Sequence, residues 1–249
     1  MFGKWLRKKT PALPPIHFGH FKVDMHSHLI PGIDDGSKSM DTTIAMLAKF
    51  ESLGYKKVIT TPHVMSDYYK NTPEIILAGL KNVQETAKEL NLRIEIEAAA
   101  EYYYDDHFMN ALLKKEKLLT FGDRYILFEF SFHSEPNQID TLVFEMLTQN
   151  YRPILAHFER YMYYLGSVEK AIELRERGVN IQLNINSLIG HYGPDIQKQA
   201  QLLVDEKLVD FVGSDCHRIE HLLTMEKGAN LPYLHKLLEL PLKNQQLLD

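Results

Sequence analysis

The stretch FKVDMHSHLIPGIDDG, residues 21–36, places a short β-prone run directly before a cluster of histidine and aspartate residues. Residues two apart on a strand point to the same side, so His26 and His28 can reach one ion. Asp24 shares that side and could orient one of these ligands from behind. A His-x-His pair alone is only a weak sign of a metal site, so partners elsewhere in the chain decide the matter.

Short β-prone runs alternate with amphipathic stretches along the chain. The runs cover residues 21–25, 57–60, 93–98, 125–130, 153–156, 180–185 and 209–213. Apolar residues recur every three or four positions over 76–90, 139–146 and 196–204, which predicts helices there. Several runs are almost continuously apolar, which is typical of parallel strands buried on both faces. About seven β-then-α units predict an α/β fold with a parallel sheet.

Nearly every predicted strand runs into an ionisable residue of a type that binds metals. Besides the first pair, these residues are His63, Glu101, Glu129, His157, Asp215 and His217. The sixth strand offers only the neutral Asn184 and Asn186 there. In a closed parallel barrel all these strand ends converge on one face, whereas in an open sheet they would spread along an edge. We therefore expect a distorted TIM-like barrel, with seven strands rather than eight.

Packing alone explains this series poorly, because charged side chains are rarely buried without partners. A ring of carboxylates and imidazoles would repel itself or titrate unless cations neutralised it. The series therefore predicts a site for several divalent metal ions, and its oxygen and imidazole ligands suit manganese, iron or zinc. The Asp34-Asp35-Gly36 turn stays open at this point. It is good turn chemistry before a helix, and one aspartate could equally bend back to the metals.

Composition narrows the class of protein. The chain has 249 residues, a formal net charge of −5, 12 histidines and one cysteine. A lone cysteine excludes an intrachain disulfide and a cysteine-rich zinc module, and the acidic balance argues against nucleic acid as a partner. No apolar run approaches the roughly 20 residues that span a bilayer. We expect a cytoplasmic protein with a basic tail over residues 1–20, either solvated or in peripheral contact with a membrane, and a single domain over 21–249.

With these residues assembled, the chain resembles the PHP (polymerase and histidinol phosphatase) superfamily. More narrowly, it resembles the bacterial manganese-dependent protein-tyrosine phosphatases of the CpsB/CapC type, which act in capsule and exopolysaccharide control. The resemblance covers roughly residues 21–223. It rests on DMHSHLIPGIDDG (residues 24–36), Thr61-Pro62-His63, Glu101, Glu129, His157-Phe158-Glu159-Arg160-Tyr161 and Gly213-Ser214-Asp215-Cys216-His217.

The resemblance implies a distorted (β/α)7 barrel, the PHP fold, that holds three divalent metal ions with manganese as the expected species. The implied ligands are His26, His28, Glu101 and Asp215 for one metal, Glu101, Glu129 and His157 for a second, and Asp35, His63 and His217 for a third. Arg160 matches the phosphate-binding arginine of the family. The family's second arginine is absent from its usual place, and only Arg218 stands nearby.

These features predict a metal-dependent protein-tyrosine phosphatase in which a metal-bridging hydroxide attacks phosphorus in line. The residues expected to act beside the metals are Arg160, Asp35, His63 and Arg218. The expected substrate is a phosphotyrosine protein, namely a bacterial tyrosine kinase of capsule control. A thiolate mechanism is excluded, because Leu222 follows Cys216 at the place where a Cys-x5-Arg loop needs its arginine.

Three other functions fit parts of the pattern. A small-molecule phosphatase of the same superfamily, such as one for histidinol phosphate, is the nearest alternative, but the aspartate turn and Glu129 favour the tyrosine phosphatases. A metal-dependent amidohydrolase also opens with His-x-His, yet the fourth predicted strand carries Glu129 and no lysine. A non-catalytic metal-binding scaffold would not need so complete a series of ligands.

Overall fold

The computed structural model describes residues 13–248, in which helices alternate with parallel strands. The strands are β1 (Val23–Asp24), β2 (Lys57–Thr60), β3 (His63–Val64), β4 (Glu95–Ala98), β5 (Glu101–Tyr103), β6 (Tyr125–Glu129), β7 (Arg152–Leu155), β8 (Asn180–Asn184) and β9 (Phe211–Gly213). The helices are α1 (Met40–Ser52), α2 (Pro73–Glu89), α3 (Asp106–Leu113), α4 (Ile139–Thr148), α5 (Glu169–Glu176), α6 (Ile185–Leu188), α7 (Pro194–Asp205), α8 (Ile219–Gly228) and α9 (Pro232–Leu238).

The strands form two hydrogen-bonded groups in which every pairing is parallel. One group has the order β1-β2-β4, and the other has the order β3-β5-β6-β7-β8-β9. Neighbours in space are mostly neighbours along the chain, with a helix between them, as expected for successive β-α units. The predicted parallel α/β class is confirmed.

Two of the predicted strands are each followed, after a two-residue break, by a second short strand. Pro62, which has no N–H to donate, separates β2 from β3, and residues 99–100 separate β4 from β5. Backbone hydrogen bonds nevertheless cross the break, from Ala99 N–H to Thr60 O at 2.9 Å and from Glu101 N–H to Pro62 O at 3.1 Å. Glu101 was expected just beyond the predicted strand 93–98, and it is the first residue of the short strand β5.

The segment that follows β1 lies beside the segment that follows β9. Asp215 N–H donates to His26 O at 2.8 Å, and His28 N–H donates to Cys216 O at 2.9 Å. Ser27 and Cys216 also form a parallel bridge. The parallel sheet is therefore curled, and its first and last strands approach each other at their carboxyl ends.

Side chains of the strands alternate between two buried clusters. Phe128 of β6 belongs to the larger cluster, which also contains the core residues of the helices, whereas Leu127 belongs to a smaller cluster on the other face. That inner cluster consists of Val23, Met25, Ile59, Ala99, Phe121, Tyr125, Leu127, Ile154, Ala156, Phe211 and Leu247. Burial of both faces explains why the strands are almost continuously apolar in sequence.

The three predicted helical stripes are confirmed by α2, α4 and α7. Thr72 caps α2 by accepting a hydrogen bond from Ile75 N–H at 3.4 Å, and Pro73 occupies the first turn. Pro194 begins α7 in the same way. These are the residue types that favour a helix start, because a capping oxygen satisfies a free N–H and proline has none to satisfy.

Residues 13–20 belong to the predicted tail, yet part of this segment packs on the domain. Ile16 and Phe18 are buried, and Ile16 N–H donates to Ala229 O at 2.9 Å. The rest of the predicted tail, residues 1–12, lies outside the described residues, as does residue 249. Within the described range, no helix combines the length and apolar character needed to cross a membrane.

Candidate metal centre

The nine predicted metal ligands come together at the carboxyl ends of the strands. They are His26, His28, Asp35, His63, Glu101, Glu129, His157, Asp215 and His217. In four overlapping groups, one donor atom from each residue lies within 4.8 Å of the others. The groups are His28-Asp35-His63-His217, His26-His28-Glu101, His26-His157-Asp215 and His63-Glu101-Glu129. Residues far apart in sequence thus offer nitrogen and oxygen donors at adjoining positions.

Glu101 lies in the middle of the centre and is inaccessible to solvent. Its Oε2 is 3.3 Å from His26 Nε2 and 3.1 Å from His63 Nδ1. Its Oε1 is 3.0 Å from His157 Nε2. A carboxylate with both oxygens among imidazoles is well placed to be shared between two cations.

Two of the nine residues have a left-handed backbone. His157 has φ 34° and Asp215 has φ 49°, a conformation that costs a non-glycine residue roughly 1–2 kcal/mol. Each lies just beyond a strand, β7 or β9, and the turn of the backbone directs its side chain into the centre. Strain of this kind clusters at functional sites, where the surrounding structure holds it in place.

Two buried acceptors orient the first histidine pair. His26 Nδ1 is 3.1 Å from Gln182 Oε1, and His28 Nδ1 is 2.8 Å from Asp34 Oδ2. An acceptor at this position fixes the proton on Nδ1, so that Nε2 of each ring presents its lone pair to the centre. Both histidines are thereby set in the tautomer that a metal ion requires.

Both aspartates of the predicted turn face the centre. Asp34 accepts from Gly36 N–H at 2.9 Å, as a turn aspartate does, and from His63 N–H at 3.2 Å. Asp35 Oδ1 lies 3.4 Å from His63 Nε2 and 3.3 Å from His217 Nε2. Asp34 therefore shapes the turn, and Asp35 is the aspartate that reaches the histidines.

A chain of amides on β8 connects the candidate ligands from behind. Gln182 Oε1 also accepts from His157 N–H at 2.8 Å, and Gln182 Nε2 donates to Asn184 Oδ1 at 2.9 Å. Asn184 Nδ2 donates in turn to Asp215 Oδ2 at 2.7 Å. Gln182 was not among the residues predicted for the site. The sequence does carry a sign of its role, because Gln182 and Asn184 stand two apart in an apolar strand and so point to the same face.

Two other residues near the centre differ from expectation. Asp24, expected behind a histidine, instead accepts from Ser214 N–H at 2.8 Å and from Ser214 Oγ–H at 3.0 Å. Burial raises the pKa of Asp24 to about 7. His221 had no predicted role, yet its Nδ1 lies 3.0 Å from Asp215 O. Burial lowers the pKa of His221 to about 4, which keeps this ring neutral at physiological pH.

The polar atoms of the centre are incompletely satisfied by the protein alone. Glu101 Oε2, His63 Nδ1 and His157 Nδ1 are buried and form no hydrogen bond with any residue in the described range. Burial opposes a charge on His63, but the Glu101 carboxylate prevails and raises the His63 pKa to about 10. Buried polar atoms without partners are costly. Divalent cations would satisfy Glu101 Oε2 and His63 Nδ1, and His157 presents Nε2 to Glu101 at 3.0 Å, so the residues present fit a metal centre.

Arg160 lies beside the candidate ligands, on the turn Phe158–Arg160 that follows β7. Its Nη1 donates to Asp215 Oδ2 at 2.9 Å. The guanidinium carbon is 4.3 Å from the centre of the Phe132 ring and 4.5 Å from the centre of the Tyr192 ring. The arginine is therefore held next to the centre by one carboxylate and two rings.

A cavity of about 370 Å³ is bounded by Arg160 and by several of the candidate ligands. Tyr69, Tyr103 and Phe132 form aromatic parts of its wall. Tyr69 stacks on His63 with ring centres 5.5 Å apart and planes 15° apart. The cavity thus combines an arginine and candidate metal ligands with aromatic rings that can pack against a substrate ring.

Arg218 does not line this cavity. It is exposed and lines a neighbouring cavity of about 320 Å³, together with Lys38 and Ala45. The two cavities share Asp35 and His217. The structure therefore brings Arg160 to the centre and leaves Arg218 at its edge.

Comparison with known protein families places the chain with capsule biosynthesis proteins. The family described as "Capsular polysaccharide synthesis, CpsB/CapC" matches residues 22–232. Tyrosine-protein phosphatase YwqE of Bacillus subtilis is 30% identical over 248 residues, covering 90% of this chain and 92% of the relative. Tyrosine-protein phosphatase CpsB of Streptococcus pneumoniae is 30% identical over 203 residues, covering 80% and 84%.

A solved structure is also similar to this chain over most of its length. It comes from work on YwqE of Bacillus subtilis and CpsB of Streptococcus pneumoniae, described as metal-dependent tyrosine phosphatases. The TM-score is 0.78 at 26% identity, and the match covers 91% of this chain and 94% of the other. Fold and sequence therefore indicate the same relatives.

Proposed function

The chain belongs to the CpsB/CapC family, and we propose that it is a metal-dependent protein-tyrosine phosphatase that hydrolyses phosphotyrosine in a protein substrate. One observation carries the proposal. Carboxylates and histidines from six strands and one turn come together, and those from four of these strands and the turn line one aromatic-walled cavity with Arg160. Such a cavity offers a place for a phosphoryl group beside cations and a place for the tyrosine ring.

The proposed cofactors are three divalent metal ions, with manganese as the first choice and iron or zinc as alternatives. The proposed ligand sets are His26, His28, Glu101 and Asp215, then Glu101, Glu129 and His157, then Asp35, His63 and His217. The assignment is supported by one short distance within each set: His26 Nε2 to Glu101 Oε2 at 3.3 Å, His157 Nε2 to Glu101 Oε1 at 3.0 Å, and His217 Nε2 to Asp35 Oδ1 at 3.3 Å. When bound, such metals polarise phosphoryl oxygens and lower the pKa of a water molecule that serves as the nucleophile.

The side chains of the protein supply orientation and charge for the reaction. Arg160 presents N–H groups to the phosphoryl oxygens and stabilises the negative charge that develops on them. Asp215 keeps this arginine in place through the bond to Nη1. A tyrosine leaving group has a pKa of about 10 and departs more readily than an alkoxide. The site therefore needs no strong general acid for phosphotyrosine.

The aromatic walls favour a phosphorylated phenol over a small alkyl phosphate. Tyr69, Tyr103 and Phe132 can contact the substrate ring while the phosphoryl group lies near Arg160. Arg218 is proposed to contact the substrate from the neighbouring cavity, at a part of the substrate other than the phosphoryl group. The proposed substrate is a bacterial tyrosine kinase of capsule and exopolysaccharide control, in line with the capsular polysaccharide description of the family. The proposed compartment is the cytoplasm, where kinases obtain ATP.

The finer architecture proposed is a closed, distorted (β/α)7 barrel. If β2 with β3 and β4 with β5 are each counted as one interrupted strand, the described strands number seven. The hydrogen bonds between the segments after β1 and β9 support closure. The proposed domain covers 21–249, preceded by a basic tail over 1–20 that is either solvated or in peripheral contact with a membrane.

The test is phosphate release from a phosphotyrosine peptide by the purified full chain, joined to metal analysis. Activity should disappear on treatment with a chelator and return on addition of manganese. His26→Ala and Asp215→Ala should abolish it, whereas His107→Ala, which changes an exposed histidine of α3, should not. Histidinol phosphate serves as the rival substrate. Equal or better turnover of histidinol phosphate, or activity that survives removal of the metal, would overturn the proposal.

A further inference from the structure

Arg160 lies over the faces of two aromatic rings. The Phe132 ring lies 4.3 Å and the Tyr192 ring 4.5 Å from the guanidinium carbon. Phe132 comes from the loop after β6, and Tyr192 comes from the loop between α6 and α7. Two separate parts of the fold therefore meet at one side chain.

Contacts with ring faces leave the N–H donors of a guanidinium available. The face of an aromatic ring takes up none of these donors in a conventional hydrogen bond, so the two rings do not compete with a bound oxygen anion for them. Asp215 Oδ2 takes one amino group at 2.9 Å. Among the described residues, no other hydrogen bond from the Arg160 guanidinium is formed, and the side chain lines the cavity.

The backbone around Tyr192 is shaped to present this ring. Gly190 has φ 86° and Gly193 has φ 101°, values that side chains other than glycine rarely adopt. The two glycines flank a short turn that carries Tyr192 at its tip, between α6 and α7. Tyr192 is half-buried and contacts Arg160, although it lies outside every strand and helix.

We infer that Tyr192, together with Phe132, is a positioning residue that fixes Arg160 for the phosphoryl group before substrate arrives. A free arginine side chain loses rotamer entropy when it is ordered. The two rings and Asp215 already order it without substrate, so phosphate binding does not bear that entropy cost. This inference rests on the proposed function, because it assigns Arg160 to the phosphoryl group.

The experiment measures inorganic phosphate binding to the manganese-loaded full chain by calorimetric titration, and hydrolysis of p-nitrophenyl phosphate. Tyr192→Leu should weaken phosphate binding and lower kcat/KM by about 3- to 10-fold, the range expected for a partly buried cation–π contact. Tyr192→Phe keeps the ring and should restore both values. Phe132→Leu should act in the same direction, and metal content should not change in any variant.

A double-mutant cycle separates positioning from a general structural effect. In an Arg160→Ala background, Tyr192→Leu should cause almost no further loss, because the group that it positions is gone. The matched control is Tyr233→Leu, which removes a similar ring contact at 4.4 Å from Lys236 on α9. This control should leave phosphate binding and hydrolysis unchanged.

Three results would overturn the inference. The first is an equal effect of Tyr192→Leu with and without Arg160, and the second is no effect of Tyr192→Leu at all. The third is a loss confined to phosphotyrosine with unchanged phosphate binding, which would assign Tyr192 to the substrate ring. Failure of the proposed function is distinguishable, because it would appear in the unmodified protein, as turnover of histidinol phosphate equal to that of phosphotyrosine or as activity without metal, while phosphate titration of the variants still tested the positioning.

Discussion

At the amino ends of the strands, the inner space is filled by apolar side chains such as Tyr125 and Phe211, the first residues of β6 and β9, whereas at the carboxyl ends it is lined by carboxylates and imidazoles. The amide of Asn244, packed beneath these strands, has hydrogen-bond partners for both of its polar atoms. Asn244 Oδ1 accepts from Val212 N–H at 3.0 Å, while Nδ2 donates to Val23 O and Val212 O at 3.0 and 2.7 Å. At the other end, Glu101 Oε2 forms no hydrogen bond within the described range.

The difference between these two ends teaches how one set of strands serves two purposes. Apolar packing and satisfied amides stabilise the end of the sheet where the strands begin, which we call the closed end. The end where the strands finish, which we call the open end, contains polar atoms without hydrogen-bond partners in the described range and a strained backbone at His157 and Asp215. These features lower the stability of the open end by itself, and bound cations would compensate for them. Parallel strands place these ends on opposite sides of the sheet, so the two requirements do not compete for the same positions.

The largest expected effect comes from a substitution that disturbs only the open end. Glu101→Gln should lower hydrolysis of a phosphotyrosine peptide by at least about 1,000-fold, because metal catalysis contributes several kcal/mol to the barrier. The unfolding temperature should change little, since glutamine keeps the size of the side chain. Steady-state kinetics, metal analysis and thermal unfolding measure these effects. Glu206→Gln, at an exposed carboxylate after α7, is the control. Retention of a large part of the activity would show that Glu101 is not a shared ligand.

The next largest effect is expected from a substitution that disturbs only the packing of the closed end. Leu247→Ala removes a buried side chain from the inner cluster and should lower the free energy of unfolding by about 2–5 kcal/mol. The folded, metal-loaded variant should keep its kcat, because the change lies away from the metal centre. Denaturant unfolding and kinetics well below the unfolding temperature test this. A large fall in kcat with normal stability would mean that the two ends are not independent.

A smaller effect concerns the amides that hold the ligands. Gln182→Leu removes the acceptor for His26 Nδ1 and His157 N–H, and should weaken manganese binding by about 10- to 100-fold. Metal titration followed by calorimetry gives the affinity. Gln199→Leu is a matched control, because Gln199 is also buried but bonds Gly166 N–H at 2.8 Å, on another part of the fold. Equal metal affinity in the two variants would contradict the role of Gln182.

The smallest expected effect tests whether Arg218 belongs to the site at the open end. Arg218→Ala should raise KM for a phosphotyrosine peptide by less than about fivefold, as an exposed charge contributes at most about 1 kcal/mol. Arg160→Ala should be much more damaging in the same assay. If Arg218→Ala instead matched Arg160→Ala, the neighbouring cavity would be part of the phosphoryl site.

Much of the fold follows from local pattern. The stripe over 76–90 predicts α2 because apolar residues at helical spacing must face a core. The predicted strand at 57–60 is confirmed residue for residue as β2. The interruption at Pro62 and the short strand β5 were not predicted, since hydrogen bonds across a break depend on the neighbouring strand rather than on local sequence.

The approach of eight of the nine candidate ligands could be predicted because each lies at or just beyond a strand, and parallel strands bring those points together. Asp35 lies in a turn, and only the family resemblance assigned it to the site. The supporting residues were harder to find. Gln182 resembles an ordinary strand residue until its partners His26 and His157 are seen, and Tyr192 lies in a loop whose path depends on α6 and α7.

The sequence by itself determined the parallel α/β class, the family and the set of side chains that meet at the carboxyl ends, because periodicity and strand ends are local properties of the chain. Only the tertiary structure decided which histidine nitrogens face the centre, which of Arg160 and Arg218 stands beside it, and which rings contact the arginine. Those features depend on contacts between segments distant in sequence, such as Tyr192 with Arg160 and Asn184 with Asp215. Their geometry is set only when the strands, helices and loops pack together.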